Sequence, residues 1–163
     1  MNIEPVGVLL VDSRREELRA MKAILEAPGI ELVSARSTTE ALQFVGIQKF
    51  AAILLSRQMP DMDGFQLATM LRQQLNARTT PLIFLSVGED EILLHQGYKL
   101  APVDSIKETA PEYLRAKIAI FAELFRKTED LSEKERIEQQ LQDTATHLSE
   151  SNADLAQFAY VAS

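Results

Sequence analysis

The chain has 163 residues, 46% hydrophobic and 25% charged, enough for one domain with a buried core. It holds no cysteine, which excludes disulfides, thiolate zinc sites and a thiol nucleophile. The net charge is −7, there is no basic stripe, and no apolar run approaches the roughly 18 residues of a membrane span. Nucleic acid and membrane are therefore not expected as partners. The start, Met1-Asn2-Ile3-Glu4-Pro5, lacks the basic onset of a secretion signal, so the expected location is the cytoplasm.

Val6 to Val11 is a short apolar run ended by Asp12, suited to a strand buried on both faces. Leu18, Met21, Ile24 and Leu25 recur at helical spacing over residues 14–27, and Pro28-Gly29 stops that helix. Residues 30–35 predict a second strand. Thr38 and Thr39 are candidate caps for a helix that turns Ala41, Leu42, Val45 and Ile47 inward. Residues 51–55 predict a third strand, and Pro60 and Gly64 punctuate the loop after it. A helix is expected from Phe65 to Leu75, with Leu67, Met70 and Leu71 on its apolar side. Residues 81–85 predict a fourth strand. A weak helix near 90–96 and a poorer strand from Val103 to Ile106 follow, and Pro111 is placed to open the last helix.

Five strands alternating with five helices imply an α/β fold: a doubly wound, five-stranded parallel sheet of flavodoxin-like order. Ligands in such sheets sit outside the carboxyl ends of the strands. That directs attention to Asp12-Ser13, Ser56-Arg57, Ser86-Val87 and the segment near Lys107.

The end of the chain differs in texture. From Glu112 to Ser163 there are 52 residues with no proline or glycine. One helix of that size is roughly 75 Å long. Ile137, Leu141, Thr144, Leu148, Ser151, Leu155, Phe158 and Ala162 alternate at spacings of four and three, a heptad seam. Leu114, Ile118, Phe121, Phe125 and Thr128 repeat the rhythm in another phase, which predicts a stutter between residues 128 and 137. The expectation is a globular domain over residues 1–125 and a parallel two-stranded coiled coil over 126–163, making the chain a homodimer.

The runs Val8-Leu9-Leu10-Val11-Asp12, Leu54-Leu55-Ser56-Arg57-Gln58-Met59-Pro60-Asp61-Met62-Asp63-Gly64-Phe65 and Phe84-Leu85-Ser86 resemble a two-component receiver domain. The resemblance covers residues 6 to about 125 and implies phosphoryl transfer to an aspartate at the end of the third strand. Mg²⁺ would be held by that aspartate and an acidic pair after the first strand. A hydroxyl residue after the fourth strand and a lysine after the fifth would bind phosphoryl oxygens.

The sequence departs from that pattern at several positions. Ser56 stands at the acceptor position, and the acidic pair is reduced to Asp12-Ser13. Mg²⁺ dehydrates reluctantly, so one carboxylate should bind it weakly or not at all, and no other cofactor is implied. A serine hydroxyl with no base beside it is a weak nucleophile. Arg57 adds a neighbouring cation. Ser86 matches the hydroxyl residue, Lys107 matches the lysine, and Ser105 takes the place of the switch aromatic. The resemblance thus implies a pseudo-receiver with no catalytic residue, binding a protein partner on a face that would include Leu93, Leu94, Tyr98 and Leu100. The competing readings are a working receiver that uses Asp61 or Asp63, and a flavoprotein. Asp12-Ser13-Arg14-Arg15 supplies no phosphate loop for a flavin.

Ser151 to Ser163, reading SNADLAQFAYVAS, resembles the start of the dimerisation helix of a sensor histidine kinase. That implies a stalk leading into a kinase, with a different output domain as the alternative. His147 lacks an adjacent acid and reads as a solvated helix residue. His95 has no partner in sequence, and Glu89-Asp90-Glu91 suits a helix start rather than a metal.

Overall fold

The apolar runs form parallel strands because each is long enough to cross one core and carries residues for both of its faces. In a computed structural model, which describes residues 4–56, 59–85, 103–106 and 111–162 (backbone only over 103–106 and 154–162), the strands are β1 (Val6–Val11), β2 (Ile30–Ala35), β3 (Ala52–Ser56), β4 (Leu82–Leu85) and β5 (Val103–Ile106). They lie in the order β2-β1-β3-β4-β5. All neighbours are parallel, with Val11 beside Leu55 and Ser56 beside Leu85. This is the flavodoxin-like order, with its switch point between β1 and β3.

The helices are α1 (Arg15–Leu25), α2 (Thr38–Ile47), α3 (Gly64–Arg72) and α4 (Pro111–Ala162), with a 3₁₀ turn at Leu75–Ala77. Alternation along the strands separates two cores. Leu9, Val11, Ile53, Leu55, Leu82 and Phe84 face α2 and α3. Val8, Leu10, Ala52, Leu54 and Ile83 face α1 and the start of α4, where Leu114 and Ile118 are buried. Phe65 and Phe84 pack with ring centroids 4.6 Å apart. Gly7 is required by close approach: a Cβ there would come within 3.1 Å of the Phe50 ring and 2.8 Å of the Gln48 amide.

Several expectations are corrected. The cap of α2 is Ser37, whose hydroxyl accepts from the Glu40 amide; Thr38 is already inside the helix. Ile47 is 77% exposed, because it lies two residues beyond Val45, about 200° around α2 from the buried face of Thr38, Ala41 and Val45. The third helix ends at Arg72, short of Leu75. Its guanidinium donates to the carbonyls of Ala77 (2.8 Å) and Thr80 (2.5 Å), which turns the chain.

The chain divides into two compact units, Met1–Phe125 and Arg126–Ser163. Leu114, Ile118 and Ala122 belong to the core of the first, with Phe121 and Phe125 packed against it. They are core residues rather than the partner-facing seam their heptad rhythm suggested. The second unit is helix alone, and Ile137, Leu141 and Leu148 are exposed on it. His147 is exposed as well. The region of the expected weak helix near 90–96, with His95 and the acidic run at 89–91, lies outside the described residues.

Candidate functional site at the ends of the first and third strands

The switch point fixes two of the residues singled out in sequence. Asp12 follows β1 directly, and Ser56 closes β3. Each stands one step beyond the Val11–Leu55 pair, so the register sets them side by side. Both are buried, at 5% and 4% exposure. Ser13 is half-buried. Ser105 lies on β5 opposite Phe84. Arg57, Ser86 and Lys107, and the apolar face proposed around Leu93 to Leu100, lie outside the described residues.

The sequence does not disclose what holds Asp12. The Arg14 amide donates to Asp12 Oδ1 at 3.0 Å, which closes a turn two residues long. The Arg14 side chain then folds back over the same carboxylate. Its Nε donates to Oδ1 at 3.2 Å and its Nη2 to Oδ2 at 3.1 Å. This is the two-pronged guanidinium–carboxylate match, with one prong on each oxygen. Arg14 Nη1 also lies 3.9 Å from Glu17 Oε1, on the first turn of α1. Asp12 and Glu17 both line a small cavity of about 10 Å³ between α1 and the strands, closed by Leu18, Met21, Leu54 and Leu85. That space suits about one water.

A hard divalent ion needs several oxygen ligands with free lone pairs. The carboxylate available here already accepts three N–H groups, and its neighbour on β3 is a hydroxyl. Among the described residues no three acidic or histidine side chains converge. This set of side chains does not fit the acid-rich magnesium site of a working receiver.

Residues 59–63 of the loop after β3 are anchored by packing and hydrogen bonds. Met59 and Met62 pack against the core under α2 and α3. Asp61 accepts a short hydrogen bond from the buried Thr38 hydroxyl. Asp63 caps α3 in a capping box, its amide donating to Gln66 Oε1 at 3.3 Å. The Met-Pro-x-Met-Asp-Gly-Phe run is therefore explained by packing: two methionines reach down, a capped helix begins, and Phe65 enters the core.

Residues 8–119 match the family model of the response regulator receiver domain. The transcriptional regulatory protein SrrA of Staphylococcus aureus (strain NCTC 8325 / PS 47) is 32% identical over 99 residues, which is 61% of this chain and 40% of that protein. The chain thus spans less than half the length of this curated relative. Among solved structures, the signal receiver domain of an HD domain-containing protein from Pseudomonas fluorescens Pf-5 superposes with a TM-score of 0.66 at 20% identity, covering 80% of this chain and 95% of that one. The signal receiver domain of a signal transduction histidine kinase from Syntrophus aciditrophicus gives 0.61 at 24% identity, covering 72% and 90%. Both likenesses are of fold.

Proposed function

The chain belongs to the response regulator receiver domain family, and from that premise we propose that it is a receiver of two-component signalling that keeps the fold and has lost the phosphorylation chemistry. It serves as a regulatory, protein-binding and dimerising module ahead of a histidine kinase, and is not itself an enzyme. The observation that carries this reading is the bidentate Arg14–Asp12 pair beside Ser56. A cation within the chain sits where the family's chemistry would need a metal, and a hydroxyl sits where it would need a carboxylate. Mg²⁺ binding is accordingly weak or absent. The nearby carboxylates of Asp61 and Asp63 are engaged by Thr38 and by the α3 cap, which weighs against a displaced acceptor.

The kinase assignment rests on the sequence of residues 151–163. The homodimer rests on the heptad pattern of the stalk and on the exposure of Ile137 (46%), Leu141 (64%) and Leu148 (56%). Leu155 and Phe158 continue the same seam. The receiver face takes a protein partner. Among the described residues no helix is long and apolar enough to cross a membrane, and the cytoplasm is the proposed location.

The test is exposure of the chain to a small phosphodonor with Mg²⁺, followed by intact mass. The expected result is an unmodified chain. A base-labile phosphoryl adduct on Asp12, Asp61 or Asp63 would overturn the reading. Sedimentation of residues 1–163 against residues 1–127 tests the dimer: the long form should sediment as a dimer and the short form as a monomer.

A further inference from the structure

β2 forms one edge of the sheet. Among the described residues it pairs with β1 alone, over Ile30–Ala35 and without a bulge. The Val6 amide donates to Gly29 O at 2.9 Å and the Asp12 amide to Ala35 O at 3.1 Å. Between those two bonds the parallel ladder turns the N–H and C=O of Glu31, Val33 and Ala35 toward β1. The N–H and C=O of Leu32 and Ser34 therefore point out of the sheet. The Ser34 hydroxyl is buried and has no hydrogen-bond partner among the described residues. Edges that stay in water are ordinarily blunted by lysine, proline or a bulge. This one reads Ile-Glu-Leu-Val-Ser-Ala, with half-buried Ile30, Leu32 and Val33 and one charge, Glu31. Alternation puts Glu31 with Val33 on the side of α2.

α1 flanks the other side of this edge. Ile30 and Leu32 pack against the same core as Leu18 and Leu25, which mark the side of α1 turned to the sheet. Ile24, whose carbonyl accepts from Arg115 Nε at 2.7 Å, marks the flank beside α4. At 100° per residue, Arg15, Arg19 and Lys22 fall within about 60° of one another on the opposite flank, the one that borders β2. All three are exposed, and none has a side-chain hydrogen bond or ion pair among the described residues. Glu26, just past the end of α1, forms no ion pair with Lys22.

We infer that the free edge of β2 takes an added strand from another protein, an extended segment with acidic side chains at alternate positions. The main chain of Leu32 and Ser34 gives that strand two donors and two acceptors. Every second side chain of an added strand lies on the side of α1, about 7 Å from the next. Arg15, Arg19 and Lys22 rise along α1 over about 10 Å, so two such acids fit beneath three cations. The cross-strand neighbour of Ser34 on this side lies within reach of its hydroxyl. A second copy of β2 is the poorer occupant: antiparallel pairing of two such edges brings the two cationic stripes together on one face. The inference is independent of the dimer and kinase readings above.

The probe is a capped peptide of about eight residues in which Glu and Val alternate, and its control carries Lys in place of Glu. Each is titrated to about 1 mM into the full 163-residue chain, with amide resonances and amide exchange read residue by residue. The Glu-Val peptide should shift the amides of residues 30–36 and of Arg15, Arg19 and Lys22, and slow exchange at Leu32 and Ser34. The Lys-Val peptide should do neither. Arg19→Glu, at an exposed position, should keep the fold and weaken the Glu-Val response about tenfold. Shifts without slowed exchange at Leu32 and Ser34 would show ionic contact with α1 and no added strand, which overturns the inference. An equal response to both peptides, an undiminished response in Arg19→Glu, or no response at about 1 mM would overturn it as well.

Discussion

Arg14 holds the carboxylate of Asp12 from two directions, through its own backbone amide at 3.0 Å and through a guanidinium fork at 3.1 and 3.2 Å. The pair is unequal in exposure, 52% for the arginine side chain and 7% for the aspartate. The arginine can leave for solvent at little cost, while the aspartate, left behind, keeps its turn hydrogen bond alone among the described residues. Its buried position is what makes the contact matter. An exposed ion pair of the same geometry would contribute next to nothing.

Arg14→Ala is therefore expected to lower stability by about 1 kcal/mol, read as a shift of the urea midpoint at unchanged slope. The variant should also gain broadening of the Asp12 and Ser56 amide resonances on titration with Mn²⁺, a paramagnetic stand-in for Mg²⁺. The native chain should show none at the same concentrations. Equal broadening in both proteins would mean that the guanidinium does not compete with a cation.

Ser56→Asp restores the family's acceptor in chemistry but not in setting. It places a second carboxylate next to Asp12 at a position 4% exposed. Like charges in a buried site destabilise, and one carboxyl is driven toward its neutral form. The expected outcome is a loss of about 1–3 kcal/mol in urea unfolding, with no phosphoryl adduct by intact mass after treatment with a small phosphodonor. Efficient labelling of this single variant would show that the serine alone had silenced the site.

The strands, their parallel order and the pairing of Asp12 with Ser56 could all be read from sequence. β1, β3 and β4 follow from short apolar runs that end at a polar residue, and the parallel order follows from the alternation of strands with helices. Arg14 could not. Sequence places a cation two residues from Asp12 and another, Arg57, next to Ser56, and says nothing of which side chain turns inward. The turn at Asp12 brings Arg14 back over the carboxylate. Ile47 misled because it lies two residues beyond the buried Val45, about 200° around the helix, and so faces away from the core. The phase of α4 misled for a deeper reason. Leu114, Ile118, Phe121 and Phe125 repeat at spacings of four and three, as a dimer seam does, and only burial distinguishes a helix face packed on its own sheet from one awaiting a partner.

The loop after β3 should depend on Thr38. This residue is 4% exposed, and its hydroxyl ties the first turn of α2 to Asp61 across the carboxyl end of the sheet. Thr38→Val keeps the shape and removes the donor. The expected cost is about 1 kcal/mol, with faster amide exchange concentrated at residues 59–63. Uniform exchange across the domain with no change at those residues would show that Met59 and Met62 alone hold the loop.

Arg72 presents the opposite balance, a cation kept in the fold for its hydrogen bonds despite the cost of burying it. Burial pushes its guanidinium down to about 10. The folded form therefore binds its proton less tightly than the unfolded chain does. The cost of the buried charge is fully present below pH of about 10 and is relieved only as pH rises beyond that. Near neutrality both states are charged, so this group adds no slope to stability there. Its donations to Ala77 O and Thr80 O help secure the turn between α3 and β4. Arg72→Ala leaves both carbonyls without that donor and should cost about 1–3 kcal/mol. The loss should be the same from pH of about 5 to 8, read by urea unfolding at each pH. A gain in stability would show that the burial cost outweighs the turn. A loss that varied across that range would place the effect on some other titrating group.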